Sequence, residues 1–180
     1  MRKSIRFYRL LLMVGALMIL LVTATIIWYL RSDPLISNGL TIYTDPNGNK
    51  VYSIQVVNRS KSDIKLQSVK VNGAAIPDHV QLGITFNSSR LVQFLGAETD
   101  PNTKVMDLNA ASIRPQLSAT DMQTIFAGKM NSKKLTPIHY GVIVRYDKEP
   151  IQEVTIRYSY LGFTKVKRIT HWFDSDENRK

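Results

Sequence analysis

The sequence predicts an all-β protein with a membrane anchor: one N-terminal transmembrane helix, then an antiparallel β-sandwich with one short helix near residues 121–127. Three observations predict it. Leu10–Leu30 is an apolar run with no charged residue and no proline. Roughly eight short segments downstream alternate apolar and polar residues, with turn residues between them. No strand–helix–strand rhythm interrupts them, so two sheets must cover one another's apolar faces.

The anchor comes first. Its 21 residues make a helix about 31 Å long, close to the hydrocarbon thickness of a bilayer. Helix satisfies every peptide group without water, and nothing in the run breaks it. Arg2, Lys3, Arg6 and Arg9 precede the run, and only Arg31 is basic between it and Lys50. The positive-inside rule then places residues 1–9 in the cytoplasm and the C-terminal domain outside, at the cell membrane. Tyr8 and Arg9 at one end, and Trp28 and Tyr29 at the other, suit the two headgroup layers. A cleaved signal peptide is the rival reading, with an exit after Ala24. The apolar run continues through Ile26, Ile27 and Trp28, which argues for a retained anchor. A pilin-type leader needs an early acidic residue, and none occurs before Asp33.

Residues 31–38 read as a linker and 39–173 as the sandwich domain. Gly39–Thr44 is the first strand, and Asp45-Pro46-Asn47-Gly48-Asn49 is a turn. In Lys50–Asn58, Tyr52, Ile54 and Val56 share one face, with Ser53 and Gln55 on the other. In Ile64–Val71 the alternation changes phase at Gln67-Ser68, which predicts a bulge. Asn72-Gly73 turns the chain. Val80–Phe86 alternates cleanly, and Leu91–Leu95 reads as another short strand. Residues 96–119 are the least regular stretch, with a short strand at Val105–Leu108. Thr120 and Gln123 form a capping box for a helix carrying Met122, Ile125 and Phe126, stopped at Gly128. Alternation is clearest at Ile138–Tyr146 and Val154–Tyr160, and Thr164–Trp172 returns after Gly162. Residues 174–180 are a charged tail.

Composition bounds the chemistry. The chain has 24 basic and 14 acidic residues, net +10. Five of the basic residues lie at or before Arg31, so 19 face 14 in the outer domain. The excess serves solubility, or attraction to anionic headgroups or cell-wall polymers. External display argues against nucleic acid as a partner. With no cysteine, disulfides, thiol nucleophiles and thiolate metal sites are excluded. His79, His139 and His171 lack metal-pair spacing, and each reads as a surface residue. Asp45-x-Asn47-x-Asn49 opens like a calcium loop, but Lys50 stands where Gly is needed and Val56 or Val57 where Glu is needed. Glu98 with Asp100, and Asp174 with Asp176 and Glu177, are the paired carboxylates that an envelope hydrolase would require. No metal, cofactor or small-molecule substrate is expected. Asn58-Arg59-Ser60 and Asn87-Ser88-Ser89 match the glycosylation pattern.

Two basic clusters are candidate contacts for an anionic partner: Lys165, Lys167 and Arg168 on the last strand, and Lys129, Lys133 and Lys134 after the helix. Basic side chains on a sheet edge also oppose aggregation. Trp172 and Phe173 read as core closure, with exposed anchors as the alternative.

The run VVNRSKSDIKLQSVKVNG (Val56–Gly73) resembles the second and third strands of immunoglobulin-like domains on bacterial surfaces. IHYGVIVRYD, VTIRYSYLG and TKVKRITHWF resemble the closing meander of such domains. The resemblance extends over residues 39–173 and implies fold and location rather than activity. The expected role is non-catalytic binding, to an envelope protein or an anionic surface polymer. An accessory subunit of a membrane transport or assembly complex, and an envelope hydrolase, are the alternatives.

Overall fold

The computed structural model describes residues 2–94, 100–127 and 135–173. The chain divides into two units, residues 1–33 and 34–180. The first is helix α1 (Arg2–Arg31). Its apolar side chains are exposed from Leu11 through Trp28, and the stretch Leu11–Tyr29 is long and apolar enough to cross a membrane. Thr23 and Thr25 donate their hydroxyls to the carbonyls of Ile19 and Leu21, both at 2.8 Å. The helix therefore satisfies the hydroxyls of both threonines itself. Ser32 closes it, donating Oγ to the Tyr29 carbonyl at 2.7 Å.

The second unit is mostly β. Its strands are β1 (Leu35–Thr44), β2 (Lys50–Asn58), β3 (Ile64–Val71), β4 (His79–Phe86), β5 (Thr103–Asp107), β6 (Ser112–Ile113), β7 (Pro137–Arg145), β8 (Val154–Tyr160) and β9 (Phe163–Ile169). Helix α2 (Ala119–Phe126) lies between β6 and β7. All strand pairs are antiparallel, in a five-stranded sheet β1-β2-β7-β4-β5 and a four-stranded sheet β6-β3-β8-β9. The inner face of the first buries Ile54, Val56, Leu82, Ile84, Val142 and Val144. That of the second buries Ile64, Leu66, Val71, Val154, Ile156 and Tyr158. The register of β3 against β8 shifts between Leu66 and Ser68, the bulge that the phase change predicts.

Several elements differ from expectation. Strand β1 starts at Leu35, so the linker shrinks to Ser32, Asp33 and Pro34. The carbonyl of Pro34 accepts a bond from the Arg59 amide at 2.8 Å. A bulge between Ser37 and Gly39 then sets the phase of the rest of β1. The cap of α2 is Ser118, not Thr120: its Oγ accepts from the Asp121 amide at 3.1 Å and donates to the Asp121 carboxylate at 2.7 Å. Gly128 lies outside the described residues, as does the 174–180 tail.

Leu91–Phe94 is not a strand. Among the described residues it is paired with neither β4 nor any other strand. It forms a strap over the outer face of the five-stranded sheet, where Val92 packs with Val51 and Ile143. The reason lies in one row across that sheet: Gly39, Gln55, Gly141, Gly83 and Val105 stand side by side on β1, β2, β7, β4 and β5. Three glycines leave a trough. A Cβ on Gly141 would lie 2.7 Å from the Val92 Cβ, and one on Gly83 would collide with Val92 Cγ1. The supposedly solvated face of β2 is consequently covered, with Ser53 and Gln55 both buried.

Candidate functional site

Strand alternation sorts the basic residues. On the four-stranded sheet, three cross-strand rows face outward: Lys65–Ser159–Thr164, Ser68–Arg157–Val166 and Lys70–Thr155–Arg168. Lys65, Lys70, Arg157 and Arg168 are all exposed. No acidic residue occupies these rows. Glu153, just before β8, meets Arg168 Nε at 3.2 Å and accepts from Thr155 Oγ1 at 3.0 Å. The remaining cations give the sheet a positive face with small hydroxylic residues between them. Such a surface suits a flexible polyanion, because each contact is a solvated point charge rather than a shaped pocket.

The expected cluster on β9 is split by the same geometry. Lys165 and Lys167 are paired with Tyr158 and Ile156, so they stand on the inner face of the edge strand and are half-buried. Their stems cover core at the sheet edge, and inward charges on an edge strand disfavour strand addition. Arg168 alone of the three shares the outer face. Lys129, Lys133 and Lys134 lie outside the described residues. Sequence spacing missed Lys65, Lys70 and Arg157. Their signal was the alternation of β3 and β8, which places them opposite the core positions.

Tyr8, Arg9, Trp28 and Tyr29 all lie within α1. Twenty residues separate the two pairs, a rise of about 30 Å along a helix. Trp28 is exposed.

A second feature is a groove of about 620 Å³ at one end of the five-stranded sheet. Tyr43, Val51, Phe94 and Ile143 supply its apolar lining, with Asp45, Asp78, His79, Gln81, Arg145 and Asp147 completing it. The Tyr43 and Phe94 rings meet edge to face at 5.9 Å. Its three carboxylates are engaged locally. Asp45 accepts from the Asn47 and Asn49 amides at 2.8 and 2.9 Å and from Asn49 Nδ2 at 3.0 Å. The Asn49 bonds hold its carboxyl below the usual range. The Asp45–Asn49 segment is thus a self-closed turn. Asp78 accepts from the Asp147 amide at 2.8 Å, and Asp147 pairs with Arg145 at 2.8 Å.

The histidines separate. His79 opens β4 beside the groove. His171 is exposed and stacks near Trp172, with ring centroids 4.6 Å apart. His139 is on the outer face but under the strap, with Nδ1 2.9 Å from Gln55 Nε2. Burial lowers its pKa, and a hydrogen bond with the Ser89 backbone opposes that shift. Among the described residues, no group of three or more His, Cys, Asp or Glu could hold a metal ion. Asp100 accepts from the Asn102 amide at 2.9 Å; Glu98, Asp174, Asp176 and Glu177 lie outside the described residues. Asn58 is buried and donates Nδ2 to the carbonyls of Ser62 and Ile113 at 2.8 and 2.9 Å, which leaves its amide no proton for glycosylation. Trp172 and Phe173 are half-buried: Trp172 Nε1 donates to Ser37 Oγ at 2.6 Å, and Phe173 packs edge to face on Tyr52 at 5.9 Å.

Comparison with protein-family models, with curated proteins and with solved structures found no match.

Proposed function

We propose that this chain is a single-pass membrane protein, amino terminus in the cytoplasm, whose strand-built domain acts outside as a non-catalytic binding module. The domain is an immunoglobulin-like sandwich in this reading, and its ligand is an anionic polymer of the cell surface. One observation carries the proposal: the outward rows of the four-stranded sheet gather Lys65, Lys70 and Arg157 with no acidic residue in those rows, and only Arg168 at their edge is paired, with Glu153. The exposed apolar length of α1 supports the anchor, and the basic residues before it support the orientation.

The test uses the full chain in phosphatidylcholine nanodiscs and immobilised polyglycerol phosphate. Binding weakens steeply as salt rises, because exposed charges are screened within about 10 Å at 0.1 M. Retention indifferent to salt overturns the electrostatic reading.

The groove between Tyr43 and Phe94 favours a second reading, an accessory subunit that docks on another envelope protein of a transport or assembly complex. In that case exchanging Leu10–Leu30 for an unrelated anchor abolishes function, whereas the polymer binder tolerates it.

A further inference from the structure

The turn between β8 and β9 is built from Leu161 at φ 51° and Gly162 at φ 82°. Two consecutive positive φ values define the tight hairpin turn whose first position Asn, Asp or Gly fills without strain. A leucine there crowds its own Cβ against the backbone. Burial does not explain the choice, since Leu161 is 50 % exposed. Phe163, the first residue of β9, is 63 % exposed. A large apolar pair is therefore held out at a hairpin tip, at a position where a polar residue fits better. Strain retained at a side chain that is half exposed points to a use outside the fold.

The surroundings say what kind of use. Behind the tip, the next paired positions are Lys65, Ser159 and Thr164 on the outer face, and Leu66, Tyr158 and Lys165 on the inner face. The following outer row holds Arg157 and the exposed Val166. None of these positions is acidic. Apolar side chains at an apex with exposed cations set back along the outer face match the depth profile of an anionic lipid surface. The apex enters the headgroup layer while the cations stay at the phosphates.

We propose that the β8–β9 hairpin tip docks on an anionic membrane surface, with Leu161 and Phe163 inserting and Lys65 and Arg157 contacting lipid phosphates. The polymer reading shares Lys65 and Arg157 but does not need the apolar tip, so the two are separable.

The chain has no cysteine, so Thr164→Cys offers a single labelling site beside an intact tip. The full chain, carrying an environment-sensitive dye there, is placed in phosphatidylcholine discs and given phosphatidylcholine vesicles with or without phosphatidylglycerol. It is also placed in discs that contain phosphatidylglycerol. The emission shifts to the blue, and headgroup-level quenchers act, only where the anionic lipid is present; a dye at Asn47→Cys stays aqueous. Leu161→Asn raises the thermal midpoint, because it relieves the turn, yet lowers vesicle retention by at least about fivefold. Phe163→Thr lowers retention as well. Binding of polyglycerol phosphate is unchanged in both. A dye that stays aqueous in every arm overturns the proposal. So does vesicle retention that depends on Lys65 and Arg157 but survives Leu161→Asn, or a blue shift that appears only on adding envelope proteins.

Discussion

Gly83 and Gly141 face each other across the β4–β7 ladder, and the Val92 side chain occupies the space their missing side chains leave. The middle of the five-stranded sheet's outer face is covered by this residue, with Tyr43, Phe94 and Val105 packed around it.

The relationship predicts a reciprocal cost. Val92→Ala removes two methyl groups from a nearly sealed site and lowers stability by about 2 kcal/mol. Gly141→Ala puts a methyl into Val92 and costs a similar ~2 kcal/mol. Combined, they cost clearly less than the sum, because each relieves the other. Denaturant titration of the three variants measures the coupling; strict additivity would mean that the strap does not rest on the trough.

Asn58 makes a second prediction. Its Nδ2 donates to Ser62 and Ile113, and its Oδ1 accepts from the Ser60 amide and hydroxyl at 2.9 and 2.7 Å. Asn58→Asp keeps the shape but supplies no donor. Two carbonyls then lose their partner beside a buried charge, at a cost of about 3 kcal/mol. Thermal unfolding reads the loss, and Asn58→Ala, which adds no charge, is the milder of the two.

His139 gives stability a pH dependence. Its pKa is lowered from 6.5 in the fold, chiefly by burial. The unfolded chain thus binds the proton more readily, and stability falls as pH drops through 6.5 toward the folded value, then levels off. His139→Gln removes that slope. A slope unchanged in the variant would assign it to another group.

The positive sheet face predicts selective loss of polyanion binding. Lys65→Glu with Arg157→Glu abolishes retention on polyglycerol phosphate and removes most of its salt dependence. Lys167→Glu, on the opposite face of β9, leaves retention within about twofold. Equal losses in both would return the patch to β9.

Much of this architecture was legible in one dimension. The apolar run at Leu10–Leu30 marks a helix, although the helix itself begins earlier, at Arg2, and the alternations at β2, β4, β7 and β8 give strand and inner face together. The slipped phase at Gln67-Ser68 even located a bulge. The strap was not legible. Leu91 and Val92 look locally like strand residues, and only the cross-strand placing of Gly83 and Gly141 shows the space that Val92 fills instead. Ser53 and Gln55 read as solvated because their cover depends on glycines from three separate strands. The basic face escaped for a similar reason. Neighbours along β9 alternate between faces, whereas Lys65, Arg157 and Arg168 come together only through cross-strand register.

The middle place of β7 has a consequence for how the chain is made. The hairpin of β1 with β2 and the pair of β4 with β5 have no contact ladder with each other except through Pro137–Arg145. A ribosome delivers those earlier segments first, so each waits with an open edge until the late strand emerges. Synthesis halted before that point leaves two unfinished half-sheets, the species most exposed to aggregation and to quality-control proteases.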